Sequence, residues 1–281
     1  MESKISKYQV ERFLEQNNSV SDYISLLKPR VMSLAVFTSI CGIILAPISI
    51  HPFFFFISIL CITVGAGASG AINMWYDRDI DCLMERTKKR AIPLGKIDPL
   101  DALGFGVVLS LISTILLGLS VNYGAALLLA FSIFFYICIY TIWLKRKTPQ
   151  NIVIGGASGA LPPVIGWTIA TNSLSIEPLT FFLIIFFWTP SHFWALSLYK
   201  SDDYKKAKVP MLPLTNGIES TKLNILIYSL LMLPVVIFPY ALEFVGLAFL
   251  IPSLILTIYY NILCFKLYNF KKNKFDAKIA R

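Results

Sequence analysis

Eight apolar segments, each long enough to cross a lipid bilayer as an α-helix, divide this sequence of 281 residues. A bilayer core of about 30 Å needs about 20 apolar residues in a helix. Inside such a core every backbone polar group must be hydrogen-bonded within the protein, which favours helices. The sequence therefore predicts an all-α, polytopic transmembrane bundle of eight helices, at about 31–50, 53–76, 102–120, 122–143, 151–171, 178–199, 223–241 and 244–265.

Composition and charge agree with a membrane protein. Hydrophobic residues make up 56% of the chain, above the roughly 45–50% of soluble domains. A net charge of +9 would suit a nucleic-acid partner. With eight spans, however, all 25 Lys and Arg residues fall on one side of the membrane. Basic loops are typical of the cytoplasmic side. We therefore predict cytoplasmic termini, large cytoplasmic loops at 77–101 and 200–222, and no nucleic-acid partner.

The chain is expected to form one transmembrane domain over residues 1–281, with a cytoplasmic N-terminal arm at 1–27 and a cytoplasmic basic tail at 266–281. The polar first 20 residues predict no signal peptide. The cell inner membrane of a bacterium is the expected location.

A polar stripe ends the second predicted span. Asn73, Asp77 and Asp81 are spaced four residues apart, which places their side chains on one helix face. Carboxylates at the mouth of a membrane helix are energetically costly and indicate a functional site. Their oxygens would suit Mg²⁺ completed by substrate phosphates; the alternative is a solvated helix end. Asp79 lies off the stripe and is expected to pair with Arg78 or Arg86.

A second acidic group, Asp202 and Asp203 followed by Tyr204, comes at the end of the sixth span. It lies on the same predicted side as the first, so the two groups would be able to hold metal ions that bridge a diphosphate. The alternative is a charged loop without a ligand. The candidate metal ligands are Asp77, Asp81, Asp202 and Asp203.

Basic residues near both acidic groups are candidate phosphate contacts. Arginine binds phosphate through two parallel hydrogen bonds, so Arg86 and Arg90 are stronger candidates than the neighbouring lysines. Lys28 and Arg30, before the first span, are either a phosphate clamp or interfacial anchors. In the second loop the candidates are Lys205 and Lys208, for which an ordinary basic cytoplasmic loop is the alternative.

Two further polar residues lie in or at predicted spans. His192 is expected to face protein or a cavity, where it contacts a large planar substrate, transfers a proton or makes a structural hydrogen bond. Asn151 begins the fifth span and is expected to reach the pocket of the acidic groups. Pro162 and Pro163 predict a break in that span, and its glycines predict close helix packing.

Several motifs together resemble a known family. NMWYDRDID followed by RTKKRAIPLGKI resembles the first aspartate motif of the intramembrane aromatic prenyltransferases. YTIWLKRKTPQNIVIGGASGALPPVIGW, WTPSHFWALSLY and DDYKKAKVPMLP are similar to the protohaem IX farnesyltransferases, the haem O synthases, within that superfamily. The match runs from about Lys28 to Pro213, with Ala91 where the pattern usually has proline.

The resemblance implies a reaction and a metal. Farnesyl diphosphate would be held by Mg²⁺ on Asp77, Asp81 and Asp203, and the 2-vinyl group of haem b would attack C1 of the farnesyl group. Addition of water would give haem O and diphosphate, with haem A synthase as a possible partner. The resemblance implies a bundle of nine helices, one more than the eight predicted here, so a further helix is expected beyond Arg281.

Other functions remain open at this point. A quinone-type aromatic prenyltransferase, acting on 4-hydroxybenzoate or naphthoate, would share the aspartates but not the glycine-rich and histidine-containing blocks. A haem or lipid transporter would place charges at mid-membrane, whereas the acids here lie at span ends. A non-catalytic haem-binding assembly factor would have no need of two acidic groups.

Overall fold

The structure, a computed structural model, describes residues 19–270. The predicted N-terminal arm and basic tail lie mostly outside these residues. Within them the chain forms helices joined by short connections, with no strand, which confirms the all-α prediction. The helices are α1 (Val20–Leu26), α2 (Pro29–Leu45), α3 (Pro52–Tyr76), α4 (Arg78–Leu83), α5 (Pro99–Ser120), α6 (Tyr123–Phe134, continued by a π-helix over Phe135–Leu144), α7 (Asn151–Ala160), α8 (Pro162–Thr171), α9 (Ile176–Tyr199), α10 (Ser201–Lys206), α11 (Leu212–Thr215), α12 (Ile218–Ala241) and α13 (Leu247–Asn269).

Seven helical segments between residues 19 and 270 are long and apolar enough to span a membrane, with α6 and its π-helix counted as one span and α7 and α8 as another. An eighth results if α1 and α2, which are bent by 57° relative to each other, form one span. The predicted count of eight agrees with this upper number. The chain is therefore a polytopic membrane protein.

Proline and capping residues set several helix starts. Proline opens α2, α3 and α5, where its fixed φ suits the first helical position and its missing N–H needs no partner. The carboxylate of Asp98 accepts a hydrogen bond from the Leu100 N–H at 2.7 Å at the start of α5. Pro162 and Pro163 begin α8 directly after Leu161, so the predicted break in the fifth span is confirmed.

Glycines allow the closest helix contacts. A Cβ on Gly166 would lie 2.0 Å from the carbonyl oxygen of Ser39, and one on Gly42 would lie 2.1 Å from that of Pro163. Helices α2 and α8 therefore meet backbone to backbone. Gly155 makes room for an aromatic ring, since its Cβ would lie 2.1 Å from the ring of Tyr140. The predicted close packing is thus confirmed for Gly155 and Gly166 of the fifth span but not for Gly159, where a Cβ would meet no atom within 4 Å.

The last ten residues of the fourth span are wound as a π-helix, which the sequence pattern did not predict. Thr141 Oγ1 donates to the carbonyl oxygen of Tyr136, five residues earlier, at 2.8 Å. The rings of Tyr136 and Tyr140 stack with centroids 5.5 Å apart. The wider winding carries Thr141 and Lys145 to the end of α3, where the acidic stripe lies. Such π-turns are frequent at functional sites.

Candidate active site

The two acidic segments pack against one another. Ile80, between Asp77 and Asp81, and Met84, just after them, share a buried apolar cluster with Tyr204 and Val209 of the second acidic segment. Ile152, in the first turn of α7, belongs to the same cluster. The two acidic groups therefore lie at one end of the bundle, as the predicted topology requires.

The acidic stripe keeps a helical register across a break in the helix. Asp77 ends α3 and precedes α4, yet its N–H bonds to the Asn73 carbonyl at 2.9 Å and its own carbonyl accepts from the Asp81 N–H at 2.8 Å. Asn73, Asp77 and Asp81 are all buried, with 4%, 0% and 2% of their surface exposed. The side chains of Asn73 and Asp77 touch, because Asn73 Nδ2 donates to Asp77 Oδ2 at 2.8 Å.

Three basic side chains from three separate segments donate hydrogen bonds to this stripe. Lys28, which joins α1 to α2, donates from Nζ to Asn73 Oδ1 at 2.5 Å. Arg90 Nη1 donates to Asp81 Oδ2 at 2.6 Å. Lys145 Nζ donates to Asp77 Oδ2. Buried carboxylates of this kind need such partners, because an unpaired buried charge is strongly destabilising.

Sequence reasoning missed two of these neighbours. The sequence does not distinguish Lys145 from the other basic residues on the same predicted side, and it does not single out Thr141, whose Oγ1 accepts from Asn73 Nδ2 at 3.0 Å. The one available signal was that Lys145 begins a basic run on the same predicted membrane side as the acidic stripe. The period of a regular α-helix, 3.6 residues per turn, does not predict which basic residue of this run points toward Asp77.

Asp79 forms an ion pair, but the predicted partner is wrong. Its two carboxylate oxygens accept from Nη1 and Nη2 of Arg146, both at 2.7 Å, rather than from Arg78 or Arg86. The pKa of Asp79 is lowered because Arg146 donates these hydrogen bonds to the charged carboxylate. Arg78 turns the other way and donates to the Trp75 carbonyl at 2.8 Å.

Asn151 donates hydrogen bonds to the backbone of the loop that carries Lys145. Asn151 is 1% exposed, and its Nδ2 donates to the carbonyls of Thr148 at 2.6 Å and of Lys145 at 3.4 Å. Asn151 Oδ1 is buried without a hydrogen-bond partner among the described residues. Asn151 thus braces the loop beside Asp77.

The other candidates separate into buried and exposed residues. Asp203 is 8% and Tyr204 9% exposed, and Tyr204 packs within the apolar cluster described above. His192 is exposed on α9, where its ring stacks on Trp188 with centroids 4.4 Å apart. The remaining candidates, all with exposed side chains, are Arg30, Arg86, Asp202, Lys205 and Lys208.

A divalent cation at the acidic stripe would have few protein ligands. Among the described residues no group of three or more His, Cys, Asp or Glu side chains is arranged to hold a metal ion. Mg²⁺, however, is commonly bound by one or two carboxylates together with substrate phosphates and water. Asp77 Oδ1 is buried and accepts no hydrogen bond from the described residues. This oxygen has Arg146 Nη2 at 3.7 Å but no hydrogen bond, and with Asp81 one turn away it fits a hard cation that brings phosphate ligands of its own.

Two named relatives align with most of this chain. A relative from Pelagibacter ubique (strain HTCC1062), named protoheme IX farnesyltransferase, is 66% identical over 272 residues, which cover 96% of this chain and 90% of the relative. A relative of the same name from Bartonella henselae is 55% identical over 261 residues, covering 93% of this chain and 83% of the relative.

Solved structures share the fold at low identity. A digeranylgeranylglyceryl phosphate synthase aligns with a TM-score of 0.76 and 18% identity, over 93% of this chain and 90% of that protein. A UbiA homolog from Archaeoglobus fulgidus, bound to DMAPP and Mg²⁺, aligns with a TM-score of 0.69 and 17% identity, over 87% and 86%. The profile described as the UbiA prenyltransferase family matches residues 35–279. The chain therefore belongs to the UbiA prenyltransferase family and is a membrane prenyltransferase.

Proposed function

We propose that the chain transfers the farnesyl group of farnesyl diphosphate to the 2-vinyl group of haem b, with addition of water, to give haem O and diphosphate. The observation that carries this proposal is the buried stripe of Asn73, Asp77 and Asp81, whose carboxylates and cations suit a diphosphate–metal complex. The names of the relatives at 66% and 55% identity support haem b as the acceptor.

Asp77, Asp81 and Asp203 are the proposed Mg²⁺ ligands, and Asp202 is a further candidate that is exposed beside Asp203. The free Asp77 Oδ1 supports this assignment. When bound, Mg²⁺ neutralises the negative charge that develops on the departing diphosphate. Support also comes from the Archaeoglobus homolog, which binds DMAPP and Mg²⁺.

The chain's own cations have a complementary role. Lys28, Arg90 and Lys145 are already held at the stripe by Asn73, Asp81 and Asp77, so they need little reorganisation to contact diphosphate oxygens. Preorganised charges of this kind stabilise a transition state more effectively than mobile ones. Arg86, Arg30, Lys205 and Lys208 are proposed as outer contacts that attract the anionic substrate, because their side chains are exposed.

The C1–O bond of farnesyl diphosphate breaks, and its electron pair leaves with the diphosphate. The π electrons of the haem 2-vinyl group form the new bond to C1 of the farnesyl group. Water then bonds to the resulting cation and loses a proton, which gives the hydroxyethylfarnesyl side chain of haem O. His192, exposed on α9 and stacked on Trp188, is the proposed haem contact.

The cellular setting is also a proposal. A single domain is supported by one family profile over residues 35–279. An inner-membrane location, with the 77–101 and 200–222 loops in the cytoplasm, is supported by the placement of the basic residues. Haem A synthase, as the enzyme that takes haem O onward, stays a prediction.

An acceptor test distinguishes this function from a quinone-type prenyltransferase. The purified protein is incubated with farnesyl diphosphate, Mg²⁺ and one of three acceptors: haem b, 4-hydroxybenzoate or naphthoate. Mass spectrometry of the products is expected to find haem O from haem b and no farnesylated aromatic acid. A farnesylated aromatic acid without haem O would overturn the proposal in favour of the quinone-type enzyme.

A further inference from the structure

We propose that Asp79 is a positioning residue that holds the Arg146 guanidinium away from Oδ1 of Asp77, and thereby keeps that oxygen free for a divalent cation. The inference rests on the proposed function, since it assumes that a cation binds at Asp77. It concerns two residues that lie outside the acidic stripe and that the proposed reaction does not itself use.

Arg146 is fixed by contacts on several sides. Both of its terminal nitrogens bond to Asp79 at 2.7 Å, a bidentate arrangement that orients the guanidinium plane. Nη2 also donates to the Tyr76 carbonyl at 3.1 Å, and the guanidinium carbon lies 4.8 Å from the centre of the Tyr76 ring. The loop after the fourth span is in this way tied to the junction between α3 and α4.

The two oxygens of Asp77 differ in their surroundings. Oδ2 accepts from both Asn73 and Lys145, whereas Oδ1 accepts no hydrogen bond from any described residue. The nearest cation to Oδ1 is Arg146 Nη2, at 3.7 Å. A charge-assisted N–H···O bond has a length of about 2.7–2.9 Å, so Arg146 would need to move by only about 1 Å to occupy Oδ1.

The carboxylate of Asp79 prevents this movement by competing for the same guanidinium. Without its charge, the buried carboxylate of Asp77 becomes the strongest acceptor within reach of Arg146. A guanidinium bonded to Oδ1 would then compete with a divalent cation for that oxygen. The effect is specific to Arg146, because Arg78, although adjacent in sequence, is held at the Trp75 carbonyl.

Asp79→Asn is expected to change the free energy of unfolding only slightly. The side chain of Asp79 is 59% exposed and that of Arg146 32% exposed. Exposed ion pairs contribute little to folding. Asp79→Asn is therefore expected to fold, and its defect is expected in cation binding.

The test measures cation binding directly and does not depend on turnover. Purified protein in detergent, with inorganic diphosphate present, is titrated with Mn²⁺, a spectroscopic substitute for Mg²⁺. Protein-bound Mn²⁺ is measured by EPR against a protein-free control that contains the same diphosphate. Asp79→Asn is expected to weaken Mn²⁺ binding about tenfold or more, the scale seen when groups that orient metal ligands are removed. Asp79→Glu, which keeps the charge, is expected to retain most of the affinity.

A second substitution separates positioning from general damage. Asp79→Asn combined with Arg146→Gln is expected to recover Mn²⁺ affinity, because the competing guanidinium is gone. The matched control, Asp79→Asn combined with Arg78→Gln, is expected to stay as weak as Asp79→Asn alone. A merely structural Asp79 would show no recovery with Arg146→Gln.

The outcomes distinguish this inference from the proposed function. Wild-type affinity in Asp79→Asn, or no recovery in the Arg146→Gln double variant, would overturn the role of Asp79 while leaving the metal role of Asp77 intact. No Mn²⁺ binding by the wild-type protein would overturn the metal site itself, and the positioning role with it.

Discussion

Asn73 donates a hydrogen bond from Nδ2 to Oδ2 of Asp77 over 2.8 Å, across the point where α3 ends. The amide has one oxygen and one nitrogen, and it uses both: Oδ1 accepts from Lys28, and Nδ2 also reaches Thr141. Through Asn73, Lys28 before the first span and Thr141 near the end of the fourth span are both linked to the carboxylate of Asp77. Asn73 orients this group of side chains without itself being charged.

Asn73→Ala tests that orienting role. Without the amide, Asp77 loses one hydrogen bond and Lys28 loses its acceptor. We expect the Mg²⁺ concentration for half-maximal haem O formation to rise about 10–100-fold, the range for residues that orient metal ligands. Thr141→Ser, which keeps the hydroxyl, serves as the control. An unchanged Mg²⁺ requirement in Asn73→Ala would show that Asp77 needs no such support.

The sequence makes Arg86 and Arg90 equal candidates for a phosphate contact. In the structure they differ in burial and in pairing. Arg90 is paired with the buried Asp81, whereas Arg86 is exposed. We expect Arg90→Gln to lower kcat/KM for farnesyl diphosphate by at least about tenfold, because it removes a charge-assisted contact and leaves Asp81 unpaired. Arg86→Gln is expected to have the smaller effect in the same assay. The reverse order would place Arg86 at the diphosphate instead.

The backbone contact between α2 and α8 predicts a stability difference between two glycines of the broken fifth span. Gly166→Ala forces a methyl group against the Ser39 carbonyl, whereas a Cβ on Gly159 meets no atom within 4 Å. Overpacking of this kind costs about 1–3 kcal/mol. We expect a lower thermal midpoint for Gly166→Ala in detergent and little change for Gly159→Ala. Equal thermal midpoints for the two variants would mean that α2 and α8 move apart without loss of stability.

His192→Ala addresses the haem acceptor. The ring is exposed on α9, while Ser191 and Trp194 of the same helix are buried against α12 and its neighbours. We expect the KM for haem b to rise several-fold and the KM for farnesyl diphosphate to stay near its wild-type value. Steady-state kinetics with each substrate varied in turn measures both. An equal loss for the two substrates would identify His192 as a structural residue.

Part of this architecture could be predicted from the sequence for clear physical reasons. Apolar length defines the spans, and the four-residue spacing of Asn73, Asp77 and Asp81 defines one helix face. The register survived the helix break because the backbone bonds from Asp77 to Asn73 and from Asp81 to Asp77 continue it. The helix break before Pro162 followed from proline chemistry alone.

The rest depended on tertiary contacts that no local pattern encodes. The π-helix changes the direction of Lys145, and a helical period of 3.6 residues does not predict such a change. Asp79 was expected to pair with an arginine near in sequence, but Arg146, 67 residues later, provides the bidentate partner. That Asn151 reaches the pocket stays a prediction, and its hydrogen bonds to the Lys145 and Thr148 carbonyls depend on the fold of that loop.

The central claim is that Asp77 and Asp81 hold the metal that binds farnesyl diphosphate. It is tested by incubating purified wild-type, Asp77→Ala and Asp81→Ala proteins with haem b, farnesyl diphosphate and varied Mg²⁺, and measuring haem O by mass spectrometry. We predict Mg²⁺-dependent haem O formation by the wild type and a loss of at least about 100-fold in each variant, with both variants still recovered from the membrane fraction. Full turnover in both variants would contradict the account.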